Sequence, residues 1–169
     1  MDALHALLSR RSIRKYSKEP VSESDLQDVI KAAMEAPSAG NEQPWHFVII
    51  DDRKVLEQIP SFHPHSLMVK SAPVAILICG DLDKEKHKGY WTQDCSAATQ
   101  NLLLAVHAKG LGGVWVGVYP RDERVDGFRK LLNIPGSVVP FALVPIGHSA
   151  EEKPPGDRFD PSRIHTNQW

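Results

Sequence analysis

The spacing of apolar positions changes several times along the chain, and each change marks an element. Leu4, Leu7 and Leu8 recur at helical spacing and predict a first helix over residues 2–10. Ser22 followed by Asp25 is an N-cap signature; it opens a second helix whose apolar face is Leu26, Val29, Ile30, Ala33 and Met34. The run Pro37-Ser38-Ala39-Gly40-Asn41 breaks that helix. Aromatic and β-branched residues predict a strand over 45–50, closed by Asp51-Asp52 and followed by a short helix over 53–59. Residues 73–79 are continuously apolar, as in a strand buried on both faces.

Residues 94–109 predict a long helix without a clean polar face, since Ala97, Ala98, Leu102, Leu103, Leu104, Ala105 and Val106 point several ways. Such a helix is covered nearly all round, and the expected source of cover in so small a chain is a partner subunit. Gly110 and Gly112 stop it. A third strand follows over 114–119, a helix over 121–132 and a fourth strand over 138–146, where Pro140 and Pro145 point to edges or bulges. Residues 151–169 have no apolar period, yet carry Phe159, Ile164 and Trp169, which predicts a tail lying along a partner. Neither a repeat nor a linker divides residues 1–169, so a single domain is expected.

Composition bounds the class. The chain has 169 residues, 41% hydrophobic and 24% charged, ordinary for one globular domain with a proper core. No stretch approaches the roughly 20 apolar residues that cross a bilayer, and the amphipathic start with Asp2 is unlike a secretory signal. Cys79 and Cys95 have no metal-like spacing, which points to a reducing compartment and a cytoplasmic location. The net charge of −1 hides five cations, Arg10, Arg11, Arg14, Lys15 and Lys18, in a segment without an acid. One dense basic spot suits a single phosphate better than a nucleic acid, which needs a basic face. No nucleic-acid or membrane partner is expected.

Three segments carry candidate chemistry. Arg10-Arg11-Ser12-Ile13-Arg14 offers guanidinium forks and a hydroxyl to phosphate oxygens. Its plainer reading is complementation of a helix C-terminus, worth about 0.3–1 kcal/mol per cation. Pro37 and Pro44 stiffen a loop presenting Ser38, Asn41 and Gln43, suited to a flat heteroaromatic ligand with amide-like edges, or simply joining helix to strand. Gly110-Leu111-Gly112-Gly113 is no dinucleotide fingerprint: Trp115 takes the third glycine position, and the glycines follow a helix and precede a strand. Close backbone approach to a ligand, with Gly117 presenting its N–H, competes there with a C-cap and bulge. His63-Pro64-His65 lacks a third ligand for a metal, leaving a place over a ligand or an exposed loop. No metal is expected.

Taken in order, Arg-Arg-Ser-x-Arg, Pro-Ser-x-x-Asn-x-Gln-Pro-Trp, the Ala-x-Gln-Asn-Leu-Leu-Leu-Ala helix from Ala98 and Gly-Leu-Gly before a strand resemble the FMN-dependent nitroreductase family over almost the whole chain. The resemblance implies an α/β (α+β) fold in three layers, a mixed, mostly antiparallel sheet flanked by helices, in an intertwined homodimer joined through helix 94–109. It implies FMN held by Arg10, Arg11, Ser12 and Arg14, with Arg14 beside the pyrimidine edge stabilising the anionic reduced flavin. Pro37, Ser38, Ala39 and Asn41 would touch the flavin of the other subunit. A backbone N–H at Gly117, or at Val118, would meet flavin N5, and Arg158 rather than Lys153 would complete the phosphate site. The implied reaction is ping-pong: NADH or NADPH reduces the flavin, then a nitroaromatic, quinone or similar small acceptor takes its place. No protein acid–base pair is needed. Loop position and aromaticity suggest Phe62, His63, His65, Trp91 and Trp115 for the acceptor pocket. The chain lacks the helical excursion of longer members, which implies a more open flavin. Competing readings are a specialised branch of the dehalogenase or flavin-modifying type, a non-catalytic FMN-binding or redox-sensing protein, and a basic-patch interaction domain.

Overall fold

The computed structural model describes residues 1–154 and 156–169. Local chemistry sets the helix starts. Helix α1 (Ala3–Ser9) begins where the Asp2 carboxylate accepts the His5 N–H at 2.9 Å. Helix α2 (Glu23–Met34) begins where the Ser22 hydroxyl accepts the Asp25 N–H at 3.1 Å. Strand β1 (Trp45–Ile50) leads into α3 (Arg53–Gln58), and β2 (Val74–Asp81) is buried on both faces as its apolar run predicts. Helix α4 (Trp91–Ala108) is followed by two short strands, β3 (Gly112–Gly113) and β4 (Val116–Gly117). Helix α5 (Asp122–Leu132) and strand β5 (Val138–Gly147) complete the fold.

The sheet runs β1-β2-β5, with β3 and β4 end to end along the far edge of β5, and these strand pairs are antiparallel. A parallel bridge joins Ser12 to Gly113. Helix α4 buries Cys95, Ala98, Leu102 and Val106 against the sheet. Both thiols are buried, and burial pushes Cys79 up to about 12 and Cys95 upward as well, so neither is a nucleophile at neutral pH.

Three sequence expectations change. Helix α4 starts at Trp91 rather than residue 94, because the Gln93 and Asp94 N–H groups already bond the Tyr90 carbonyl. Strand β5 is central, not an edge, and its prolines sit at irregularities. Pro140 faces Cys79 at the register shift after Ile78. Pro145, without an N–H, faces Val114 in the register that β3 and β4 share, and there the third strand breaks in two instead of running over 114–119. Among the described residues, no helix is long and apolar enough to cross a membrane.

Candidate functional site

Where the third strand breaks, the chain opens a cavity of about 450 Å³ lined by Arg14, His63, His65, Trp115, Gly117 and Arg124, with apolar walls from Met68 and Val116. The basic segment reaches it because residues 12–17 lie along the sheet. The Ile13 N–H bonds the Gly113 carbonyl at 3.0 Å, and the Tyr16 hydroxyl donates to the carbonyls of Ile13 and Pro145. Gly112 allows this approach, since a Cβ there would lie 2.7 Å from the Ile13 side chain.

Arg14 and Gly117 therefore meet at one cavity. A Cβ on Gly117 would point into open space, so the backbone faces the cavity unobstructed. Val118 lies behind it, fully buried, with its N–H spent on the Phe141 carbonyl at 3.1 Å. Of the aromatic and histidine candidates, His63, His65 and Trp115 line the cavity. Phe62 and Trp91 do not. Phe62 packs edge-on against Phe128 at 5.1 Å, and Trp91 lies on Gly80 and against Phe141 in the core.

His63 is fully buried, not on an exposed loop, and its Nε2 lies 2.8 Å from the Gly117 carbonyl. Arg124 Nη1 donates to the same carbonyl at 2.8 Å. Burial first, and the Arg124 charge next among the opposing effects, hold the His63 imidazole below its ordinary value, so it is the neutral ring that bonds. Arg124 escapes a sequence reading because its role depends on a loop far away in the chain.

The remaining basic residues gather at the end of α1. Arg11 donates from Nε to the Pro154 carbonyl at 2.9 Å and from Nη1 to the Leu8 and Arg10 carbonyls, so it pins the C-terminal segment to the helix. Its Nη2 is buried without a partner among the described residues. Lys153 donates to the Ser12 carbonyl and pairs with Glu151 at 3.4 Å. Arg158 stands differently: a Cβ at Gly156 would lie 3.5 Å from Arg11 Nη2 and 3.7 Å from Arg158 Nε, which places both guanidinium groups around one glycine. Partial burial, then the like charges of Arg158 and Arg11, depress Arg10. Among the described residues, no guanidinium group of Arg10, Arg11, Arg14 or Arg158 has a carboxylate within 4 Å, while Glu151 Oε1 accepts the Arg14 backbone N–H at 2.5 Å. Clustered guanidinium groups without carboxylate partners are what a phosphate site needs.

The Pro37–Asn41 loop lines neither the cavity nor this cluster. The Ala39 N–H donates to Asp94 Oδ1 of α4 at 2.9 Å, and Gln43 bridges to Ser38 and Asn41. Gly40, Asn41 and Gln43 all have positive φ, which turns the loop sharply outward before Pro44. Asp94 is buried, and its Oδ2 has no partner. Burial, aided by Glu42 and Glu85, holds its carboxyl above the usual range against the Ala39 hydrogen bond. A carboxyl raised on folding penalises the folded state when ionised, so stability is gained as pH falls through the raised value, until the ordinary value of 3.8 is reached. Asp94→Asn keeps the acceptor for Ala39 and removes the charge. Melting curves are expected to show the variant more stable than the parent near pH 8, with the difference shrinking near pH 5.

The nitroreductase family model matches residues 7–66 and 63–148. A relative from Methanothermobacter thermautotrophicus, provisionally named an NADH dehydrogenase/NAD(P)H nitroreductase, is 52% identical over 169 residues, covering 100% of this chain and 88% of its own. A crystal structure with the same provisional name from Parabacteroides distasonis superposes with a TM-score of 0.94 at 39% identity, covering 98% of each chain. An FMN-dependent nitroreductase from Clostridium difficile superposes with a TM-score of 0.91 at 30% identity, over 98% of this chain and 99% of its own.

Proposed function

The chain belongs to the nitroreductase family, and from that premise we propose that it is an FMN-dependent oxidoreductase, active as a homodimer, that carries electrons from NADH or NADPH to a nitroaromatic, quinone or similar electron-poor acceptor. The observation that carries the reading is the meeting of Arg14 and the open backbone of Gly117 at one cavity, on a segment that continues into a cluster of arginines whose guanidinium groups have no carboxylate partner among the described residues. Those residues fit FMN. Arg10, Ser12 and Arg158 would hold the phosphate, helped by the unpartnered Nη2 of Arg11. Arg14 would lie beside the ring's electron-rich edge, and Gly117 would offer its N–H.

Bound there, FMN supplies a two-electron carrier, accepting from the nicotinamide and giving to the acceptor in separate half-reactions. The chain's own part is to bind, orient and bias. The Arg14 guanidinium, which has no carboxylate within 4 Å among the described residues while Glu151 is held by the backbone N–H, favours negative charge on whatever occupies the cavity. Trp115 and Met68 give it apolar walls, while exposed His65 leaves one side wet. One open cavity serving donor and acceptor in turn requires no dinucleotide-binding fingerprint.

Surface chemistry supports the homodimer. Met1, Leu4, Leu7 and Leu8 of the α1 region and Met34 of α2 are exposed, beside an apolar groove of about 470 Å³ lined by Ala6, Ala32, Leu104 and Ala105 among others. Phe159, Ile164 and Trp169 of the tail are exposed too. In this reading α4 and the tail pack against the partner, and Pro37, Ser38, Ala39 and Asn41 reach the partner's flavin.

The test is an anaerobic spectrum of protein given excess FMN, desalted, then treated with NADH and with NADPH. A retained flavin band that bleaches with either nucleotide is expected, and it names the donor. A band that stays unbleached replaces the enzyme with a flavin-binding or redox-sensing protein. Loss of all flavin on desalting returns the arginines to an interaction surface.

A further inference from the structure

Gly117 combines two properties that pull against each other. It belongs to a strand of two residues, and its missing side chain leaves open space. A glycine so placed has broad backbone freedom. The proposed function nevertheless needs its N–H aimed at one point. Something else must fix the backbone.

From the contacts of that peptide, we infer that His63 and Arg124 are positioning residues for the flavin-facing backbone at Gly117. They form a two-sided clamp on its carbonyl oxygen, and the inference rests on the flavoenzyme reading above. Each donates to that oxygen at 2.8 Å, His63 from Nε2 and Arg124 from Nη1. The carbonyl only accepts, so the imidazole must carry its proton on Nε2. Nδ1 is then the bare nitrogen, buried with no partner, and a second proton there would lie in a dry site beside the Arg124 charge. The neutral tautomer is thus the form the fold selects. The donors come from independent elements. His63 follows the short turn Ile59–Ser61, with its carbonyl accepting the Ser66 N–H at 3.0 Å and the Ser66 hydroxyl; Arg124 stands in the first turn of α5. Occupying both lone pairs of one carbonyl fixes the peptide that joins Gly117 to Val118, and with it ψ at Gly117; the Val116–Leu143 pairing holds the preceding residue, so the Gly117 N–H is set between two anchored neighbours. The positive guanidinium also polarises the peptide that continues into Val118, whose own N–H is held by Phe141.

The test uses His63→Leu, Arg124→Met and the conservative His63→Gln, whose amide nitrogen can donate from about the same place. In FMN-free protein, amide NMR is expected to show shifted Gly117 and Val118 resonances and roughly tenfold faster exchange of the Val118 amide, which bonds Phe141, in H63L and R124M. H63Q is expected to recover most of the parental pattern. In FMN-loaded protein, the same two variants are expected to reduce about tenfold more slowly with the nucleotide that serves the parent, with an altered flavin midpoint potential and H63Q again closer to the parent. Arg124 is only half-buried, so R124M decides the matter alone if H63L does not fold. Unmoved amides together with parental potential and rate overturn the clamp and leave the flavoenzyme intact. A parent that takes up no FMN overturns the flavoenzyme and, with it, the positioning role, whatever the amides do.

Discussion

Replacing Arg10 and Arg158 together by methionine is expected to weaken FMN binding at least about a hundredfold while leaving the melting temperature of the FMN-free protein unchanged or slightly higher. Charge-assisted hydrogen bonds to phosphate contribute about 1.5–3 kcal/mol each, so two lost contacts exceed a factor of a hundred. The two effects diverge because of how these residues stand without ligand. Neither has a carboxylate partner, and each lies in the field of the other and of Arg11. Removing them relieves repulsion as well as removing the site. Lys153→Met makes the contrast: its ammonium holds the Ser12 carbonyl and Glu151, so the expected effect is a lower melting temperature with a smaller loss of affinity. Flavin fluorescence titration beside thermal melts separates the two patterns, and an R10M/R158M protein with parental affinity removes these arginines from the site.

The second large effect is expected at Phe128→Ala, a loss of about 3–5 kcal/mol in unfolding free energy. Phe128 is fully buried in α5, and Phe62 meets it edge-on at 5.1 Å and 87°. Phe62 has little freedom to fill the void, because its ring already covers Gly127, where a Cβ would lie only 2.2 Å away. Truncation therefore leaves a cavity instead of collapsing. The damage also reaches the site, since the residue after Phe62 is His63. Urea unfolding with an unchanged slope, together with faster exchange at the Val118 amide, is the expected outcome. A loss below about 1 kcal/mol means that Phe62 and its neighbours close over the gap.

How far the sequence could be read follows the range of the forces involved. Ser22 capping α2, the β1 strand and the buried run of β2 are local matters, decided within a few residues, and the pattern states them directly. The convergence of Arg14 and Gly117 was legible because both lie in short segments of unusual composition. Pro140 and Pro145 left edges and bulges both open, and the structure takes the second: the pairing shifts opposite Pro140, and the neighbouring strand yields at Val114 opposite Pro145. Trp91 looked like a pocket aromatic, but a glycine on the facing strand admits it to the core. Arg11 looked like one more phosphate ligand and is also a tie between segments. Arg124 gave no signal at all, and His63 gave only a weak one, since a shared acceptor across the fold leaves no periodicity behind.

The ties between two distant segments of the chain bear on how the basic cluster assembles. Residues 11–17 lie beside 148–154, joined from Arg11 to Pro154, from Lys153 to Ser12, from Ala150 to Lys15 and from Ser17 to His148. The basic cluster thus draws Arg10, Arg11 and Arg14 from one segment and Lys153 and Arg158 from another far along the chain. A chain whose helices and sheet have formed still cannot present the whole cluster until these two segments are tied. In the proposed reading, loss of cofactor uptake after a cut behind Glu152 is the consequence to expect.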